Sequence, residues 1–192
     1  MKKFELTTES ITNAAGKKLF RIKALVEFGD VKAGELGGYV EKEGNVSQDG
    51  NAWVYGNAWV SGDARVCGDA RVYGNARVFG NARVSGDAWV SGDAWVSGDA
   101  WVYGNARVCG DAWVSGDADY TLIQGFGTEF RCTTFYRGKN KKIMVNCGCF
   151  HGDLEGFRKQ VKETRSGKIA KEYLMIADLM EYHFASEDSD DE

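Results

Sequence analysis

The chain has 192 residues, 43% hydrophobic and 27% charged, which is enough to bury one or two cores. Its 25 Gly follow no collagen period, which excludes a triple helix, and they interrupt the uncharged stretches too often for a membrane-spanning helix. A net charge of −4 argues against a general duplex-DNA binder, which is normally basic.

The start, Met1-Lys2-Lys3-Phe4-Glu5-Leu6, has no signal-peptide apolar region, so a cytoplasmic location is expected. Residues 3–7 and 18–25 alternate apolar and polar side chains around a polar loop. They predict a hairpin within residues 1–32 that caps the repeat region. A six-residue period dominates residues 33–118. From Asn51 to Gly116 eleven hexads run without a break, each reading Asn/Asp, Ala, Trp/Arg, Val, a variable residue, Gly. Ala and Val lie two apart and so point to one side of a strand, inward. Trp/Arg and the variable residue point outward. Gly followed by Asn/Asp supplies the corner, with Gly taking positive φ and the Asx side chain closing its own turn. A helix is excluded because six residues per repeat drift around a 3.6-residue turn. Three short sides per coil predict about 18 residues per turn, with coils about 4.8 Å apart.

That arithmetic sorts the outward residues into columns. The first face stacks Trp53, Arg71, Trp89 and Arg107, with Tyr55 and Tyr73 at its variable positions. The second stacks Trp59, Arg77, Trp95 and Trp113; the third stacks Arg65, Arg83 and Trp101. All six Trp lie in these columns, and every base in 45–116 is Arg. Arg planes on indole rings stiffen a thin solenoid, and Trp, Tyr and Arg are also the residues enriched at binding hot spots. Trp53, Arg71, Trp89, Arg107, Trp59, Arg77, Trp95, Trp113, Tyr55 and Tyr73 are therefore the candidate partner-binding residues.

The pattern Val-x-Gly-Asn/Asp-Ala-x resembles the hexapeptide repeat of left-handed parallel β-helices, over roughly residues 33–118. The resemblance implies the left hand, which runs against the usual right-handed crossover. The lead-in Gly34-Glu35-Leu36-Gly37-Gly38-Tyr39-Val40 and the later Cys147-Gly148-Cys149-Phe150 resemble features of solenoids from phages and Firmicutes. Those proteins usually have no assigned function. Hexapeptide-repeat acyltransferases, which the fold also resembles, use a catalytic His, and zinc enzymes on it use several. Residues 1–150 contain no His, so neither enzyme type is expected.

Residues 119–185 predict a small α+β unit that closes the end of the solenoid. Strands are expected at 120–124, 130–136 and 143–147, then helices at 153–164 and 169–184 with Ile169, Tyr173, Ile176, Ala177 and Met180 on one face. Residues 186–192 carry five acids and read as a disordered tail. The fold class is thus mainly β, a three-sided β-helix with a hairpin cap and a terminal α+β domain.

Other chemistry is sparse. The corner Asp residues read as turn residues, without the nine-residue repeat of calcium-binding β-rolls. Cys147, Cys149 and His151 alternate and are expected on one side of one strand, but their spacing is not that of a structural zinc site. No metal and no cofactor is expected. Arg131, Lys139, Lys141 and Lys142 form a weak candidate phosphate site around a basic hairpin tip. Five Cys in a cytosolic chain read as free thiols.

The expected function is therefore non-catalytic. The ladders would meet a protein partner or a second copy of the chain. The phage-like resemblance implies one version, an inhibitor of a host defence factor. The alternatives are a binder of nucleotide, nucleic acid or glycan by aromatic stacking, and a thiol-based or degenerate transferase enzyme.

Overall fold

The Ala and Val of all eleven hexads have no exposed surface, so the thin core is made of these small side chains. Burying each Val contributes roughly 1.5–3 kcal/mol before chain entropy is counted. A computed structural model describes residues 2–185, apart from the side chains of Asp117 and Arg131. The acidic segment 186–192 lies outside the described residues. The chain divides into two compact units between Asp117 and Ala118.

In the first unit, β1 (Phe4–Thr12), β2 (Lys18–Ala24) and β3 (Leu36–Val40) precede eleven two-residue strands. These are the Trp/Arg–Val pairs of the hexads, β4 to β14 in chain order. The first face pairs β4 (Trp53–Val54), β7 (Arg71–Val72), β10 (Trp89–Val90) and β13 (Arg107–Val108) in parallel. The third pairs β6 (Arg65–Val66), β9 (Arg83–Val84) and β12 (Trp101–Val102). On the second, β5 (Trp59–Val60), β8 (Arg77–Val78), β11 (Trp95–Val96) and β14 (Trp113–Val114) continue the hairpin sheet in the order β1-β2-β3-β5-β8-β11-β14. Every register joins residues 18 apart within the hexads, as the period predicts, and the coils number about four.

The corners show why Gly recurs. Gly92 has φ 70°, and a Cβ there would stand 2.8 Å from the nitrogen of Gly110 in the next coil. The Asx side chains do more than close their own turns. Asn51, Asn75 and Asn81 donate through Nδ2 to Asp69, Asp93 and Asp99 at 2.8, 3.1 and 2.9 Å, linking successive coils along the edges.

The hairpin and the segment after it seal the first coil. Phe4, Leu19, Ile22 and Val31 are buried there. Lys3 is buried as well, and its ammonium donates to the carbonyls of Gly50 and Ala52 at 3.2 and 3.0 Å. Burial lowers its pKa from 10.5 to about 8, against the opposing pull of Asp49 and Asp69. The unfolded chain therefore binds more protons than the folded chain between pH 8 and 10.5, so stability from this group rises with pH across that window. Compared with Lys3→Met, the parent chain should gain roughly 1–3 kcal/mol in chemical unfolding between pH 7.5 and 10. A difference between the two that does not change with pH would contradict this.

The second unit is an antiparallel meander covered by two helices. Its strands are β15 (Tyr120–Phe126), β16 (Arg131–Arg137), β17 (Ile143–Cys147) and β18 (Phe150–Asp153), in that order. Asp153 caps α1 (Leu154–Thr164) by accepting from the Gly156 nitrogen at 2.9 Å. α2 (Gly167–His183) packs Tyr173, Ile176, Ala177 and Met180 against Phe135, Val145 and Phe157. Arg158 of α1 ties the helices by ion pairs to Asp178 and Glu181 at 2.8 and 2.7 Å. No helix among the described residues is long and apolar enough to cross a membrane.

Candidate interaction surface

Because each outward residue sits directly over its neighbour 18 positions on, the columns become ladders of rings and guanidinium planes. On the first face the Trp89 indole lies between two cations. The Arg71 guanidinium is 5.6 Å from the ring centroid and that of Arg107 is 4.9 Å away. Beside them Tyr55 and Tyr73 stack at 4.4 Å with planes 11° apart. Asp30 fixes this corner, accepting from the Tyr55 hydroxyl at 3.1 Å and pairing with Arg71 at 3.1 Å. Burial, then the bond to Asp30, pushes the Tyr55 phenol above its ordinary range.

On the second face the order is reversed, with a cation between two indoles. Arg77 lies 5.7 Å from Trp59 and 5.0 Å from Trp95, and Trp95 meets Trp113 at 5.7 Å. Phe79 fills the space between Trp59 and Trp95. The ladder runs on into the hairpin, where Arg21 sits 4.6 Å over Tyr39, the register partner of Trp59. Glu9 accepts from both Arg21 Nε at 2.8 Å and the Tyr39 hydroxyl at 3.0 Å, and these bonds hold its carboxyl below the usual range. One strip of six side chains, Arg21, Tyr39, Trp59, Arg77, Trp95 and Trp113, therefore crosses six strands. At about 4.8 Å per step it is roughly 24 Å long.

Solvent access along the ladders is uneven. Trp89 is 36% exposed, Trp113 45%, Trp101 47% and Tyr103 51%, whereas Trp59 and Trp95 are half-buried. Trp101 and Tyr103 face each other at 5.5 Å, and the Trp101 indole donates to the Ser85 hydroxyl at 3.0 Å. This exposed pair was not among the candidate residues. A signal for it existed: a Trp and a Tyr flank one Val only at Trp53-Val54-Tyr55 and Trp101-Val102-Tyr103.

Trp53, expected to bind a partner, is a correction. It has no exposed surface. Phe4 and Phe28 meet its ring edge-on at 5.8 and 5.3 Å, and Gly37 comes so close that a Cβ there would touch it. The hairpin unit has covered the first rung of the column. The indole N–H has no hydrogen-bond partner among the described residues, so this is a packing residue.

Two predicted clusters in the second unit also come apart. Cys147, Cys149 and His151 do not share a strand. Gly148, at φ 60°, turns the chain, and Cys147 pairs with Phe150 across a two-residue hairpin. His151 therefore falls opposite Asn146, on the other face of the sheet from Cys147. Its Nε2 is 3.0 Å from the Tyr136 hydroxyl, while Cys147 Sγ accepts from Thr133 at 3.1 Å. Cys147 and Cys149 instead line a cavity of about 230 Å³ with Phe150, Phe157 and Tyr173. No group of three or more metal-ligating side chains occurs among the described residues. The basic tip is likewise not one cluster. Lys142 is tied to Asp153 at 3.1 Å. Arg131 opens β16 at the end away from the tip, about 20 Å along the strand from Arg137.

The geometry agrees with comparison to known families. Residues 64–78, 70–83, 76–92 and 100–116 each match the model described as the YdcK beta solenoid repeat. The first three matches start six residues apart, in step with the hexads. No curated protein matches the chain. Residues within the first unit thus form a β-solenoid of about four coils, similar in its repeats to the YdcK beta solenoid family.

Proposed function

We propose that the chain is a non-catalytic interaction protein that presents its Trp/Arg/Tyr ladders to a macromolecular partner. The observation that carries this reading is the set of exposed rings held in place before any partner arrives. Trp89 is clamped between two guanidinium groups, and Trp101 is fixed by Ser85 and Tyr103. Rigid aromatic and Arg side chains lose little entropy on binding and are the usual hot-spot types. The non-catalytic part is supported by the lack of His before residue 151 and by the placement of Cys147 and His151 on opposite faces of one sheet. The resemblance to phage solenoids favours a host factor as the partner, blocked by binding.

The test is capture from the lysate of the native host with tagged parent chain and the double variant Trp101→Ala/Tyr103→Ala, alongside Trp113→Ala. These exposed residues should be replaceable with a stability change of about 1 kcal/mol or less. We expect one stoichiometric partner that the folded ladder variants lose. Folded variants that keep it would sink the reading. A second reading, stacking of bases or sugars on the exposed Trp101–Tyr103 pair, predicts quenching of Trp fluorescence by oligonucleotides or oligosaccharides. An affinity that falls steeply with salt would mark nucleic acid.

A further inference from the structure

The cavity of about 230 Å³ beside the β17–β18 turn lies wholly within the second unit. It exceeds the roughly 150 Å³ apolar void that takes up benzene, and falls short of the roughly 300–1,000 Å³ of drug-sized pockets. Its floor is aromatic. Phe150 and Phe157 meet at 5.6 Å, Tyr173 closes on Phe157 edge-on at 5.9 Å, and buried Val161 lines the same space. Gly127, after β15, lets the chain press onto the Tyr173 ring, where a Cβ would stand 2.3 Å from the hydroxyl. The polar atoms of the floor are already engaged. The Tyr173 hydroxyl donates to the Phe126 carbonyl at 3.3 Å, and Cys147 Sγ accepts from Thr133 at 3.1 Å. The floor therefore suits one apolar ring.

The rim carries two charges of opposite sign that do not meet. Arg165 follows α1 as its C-cap, exposed and in an extended conformation (φ −129°, ψ 156°). Its guanidinium donates to the carbonyl of its neighbour Thr164 at 3.4 Å, and it has no carboxylate partner among the described residues. Arg137 and Arg158 of the same unit both have one, Asp119 at 3.3 Å and Asp178 at 2.8 Å. Glu129, between β15 and β16, stands on the same rim and is not paired with Arg165. The last carbonyls of α1 end beside Arg165 and add partial negative charge. Opposite charges left apart on one rim are complementary to a ligand that carries both signs.

We propose that this cavity binds a free α-amino acid with a single-ring side chain, with phenylalanine the best match. The ring lies among Phe150, Phe157 and Tyr173, which offer edge-to-face contacts. The carboxylate takes the Arg165 guanidinium, and the ammonium faces Glu129 and the last carbonyls of α1. Glu129 has other interactions in the structure, but a carboxylate has about four lone-pair sites and accepts the ammonium as well. Tyrosine would bring a hydroxyl to a floor whose polar atoms are spent. A nucleotide is larger than the cavity and would bring phosphate against Glu129. The site uses none of the ladder residues and stands apart from the function proposed above.

The test is isothermal titration of the full chain with L-phenylalanine, expected to bind one to one with a dissociation constant of roughly 0.1–1 mM. Glycine, which lacks the ring, should not bind. 3-Phenylpropionate lacks the ammonium and phenethylamine lacks the carboxylate, and each should bind about fivefold more weakly or worse. Two variants at exposed positions separate the charges. Arg165→Gln should weaken phenylalanine about tenfold without weakening phenethylamine. Glu129→Gln should weaken phenylalanine about tenfold without weakening 3-phenylpropionate. Bound phenylalanine should also slow alkylation of Cys149 by iodoacetamide severalfold, because that exposed thiol lines the cavity, and should leave Cys67 unaffected. Trp101→Ala/Tyr103→Ala should bind phenylalanine like the parent, so loss of the ladder partner and loss of this site are read separately. No binding of phenylalanine, equal affinity for phenylalanine and 3-phenylpropionate, or an Arg165→Gln variant that binds as tightly as the parent overturns the proposal.

Discussion

Trp53→Ala should lower the stability of the solenoid by about 3–5 kcal/mol, the range for emptying a fully buried aromatic site. Trp101→Ala, the same substitution at the same hexad position, should cost about 1 kcal/mol or less. The contrast comes from position alone. Trp53 is wedged beneath Phe4 and Phe28, while Trp101 is 47% exposed. Trp53→Phe should cost less than half as much as alanine, because it keeps most of the ring contact and removes the indole N–H that lacks an acceptor. Urea unfolding followed by Trp fluorescence reads this cleanly, since all six Trp lie between residues 53 and 113. Equal losses at Trp53 and Trp101 would mean that the hairpin does not hold the first coil as described.

Gly38→Ala is the second large effect. Gly38 does not need a left-handed backbone; it is required for close approach. A Cβ there would lie 2.3 Å from the Ala58 carbonyl oxygen and 2.7 Å from Val54 Cγ1. That carbonyl accepts the Tyr39 amide at 3.0 Å, the bond that starts the parallel pairing of β3 with β5. Relief of the clash pulls the two strands apart at the point where the hairpin sheet joins the coils. We expect a loss of about 2–4 kcal/mol, at or above the usual cost of overpacking because backbone cannot swing aside. Gly44→Ala, which has open space around it, is the control and should be close to neutral. Similar melting of the two variants would refute the close-approach argument.

The coils were legible because their information is local and periodic. Eighteen-residue stacking placed Trp59, Arg77, Trp95 and Trp113 in one column from spacing alone, and the pairing agrees with it. What the spacing does not carry is the state of a column's end. Trp53 is an outward residue by its place in the hexad, and it is buried by Phe4, which lies 49 residues earlier in the chain. The Cys/His cluster misled for a different reason. Alternation in Cys147, Cys149 and His151 mimics a strand, yet Gly148 at positive φ turns the chain within it, so residues of equal parity land on opposite faces. In α2 the buried stripe was plain from its helical spacing.

The fixed step from coil to coil also makes chain length a measure of angle. Three hexads return the backbone to the same face, so inserting or deleting 18 residues would leave Arg77 over Trp95 and every other rung in phase. Loss of one hexad would instead turn all later coils by a third of a revolution relative to the hairpin. Trp and Arg would then meet different neighbours while the Ala/Val interior stayed intact. Such a protein tolerates change in multiples of its circumference and resists all others, since its surface pattern, more than its core, counts the residues.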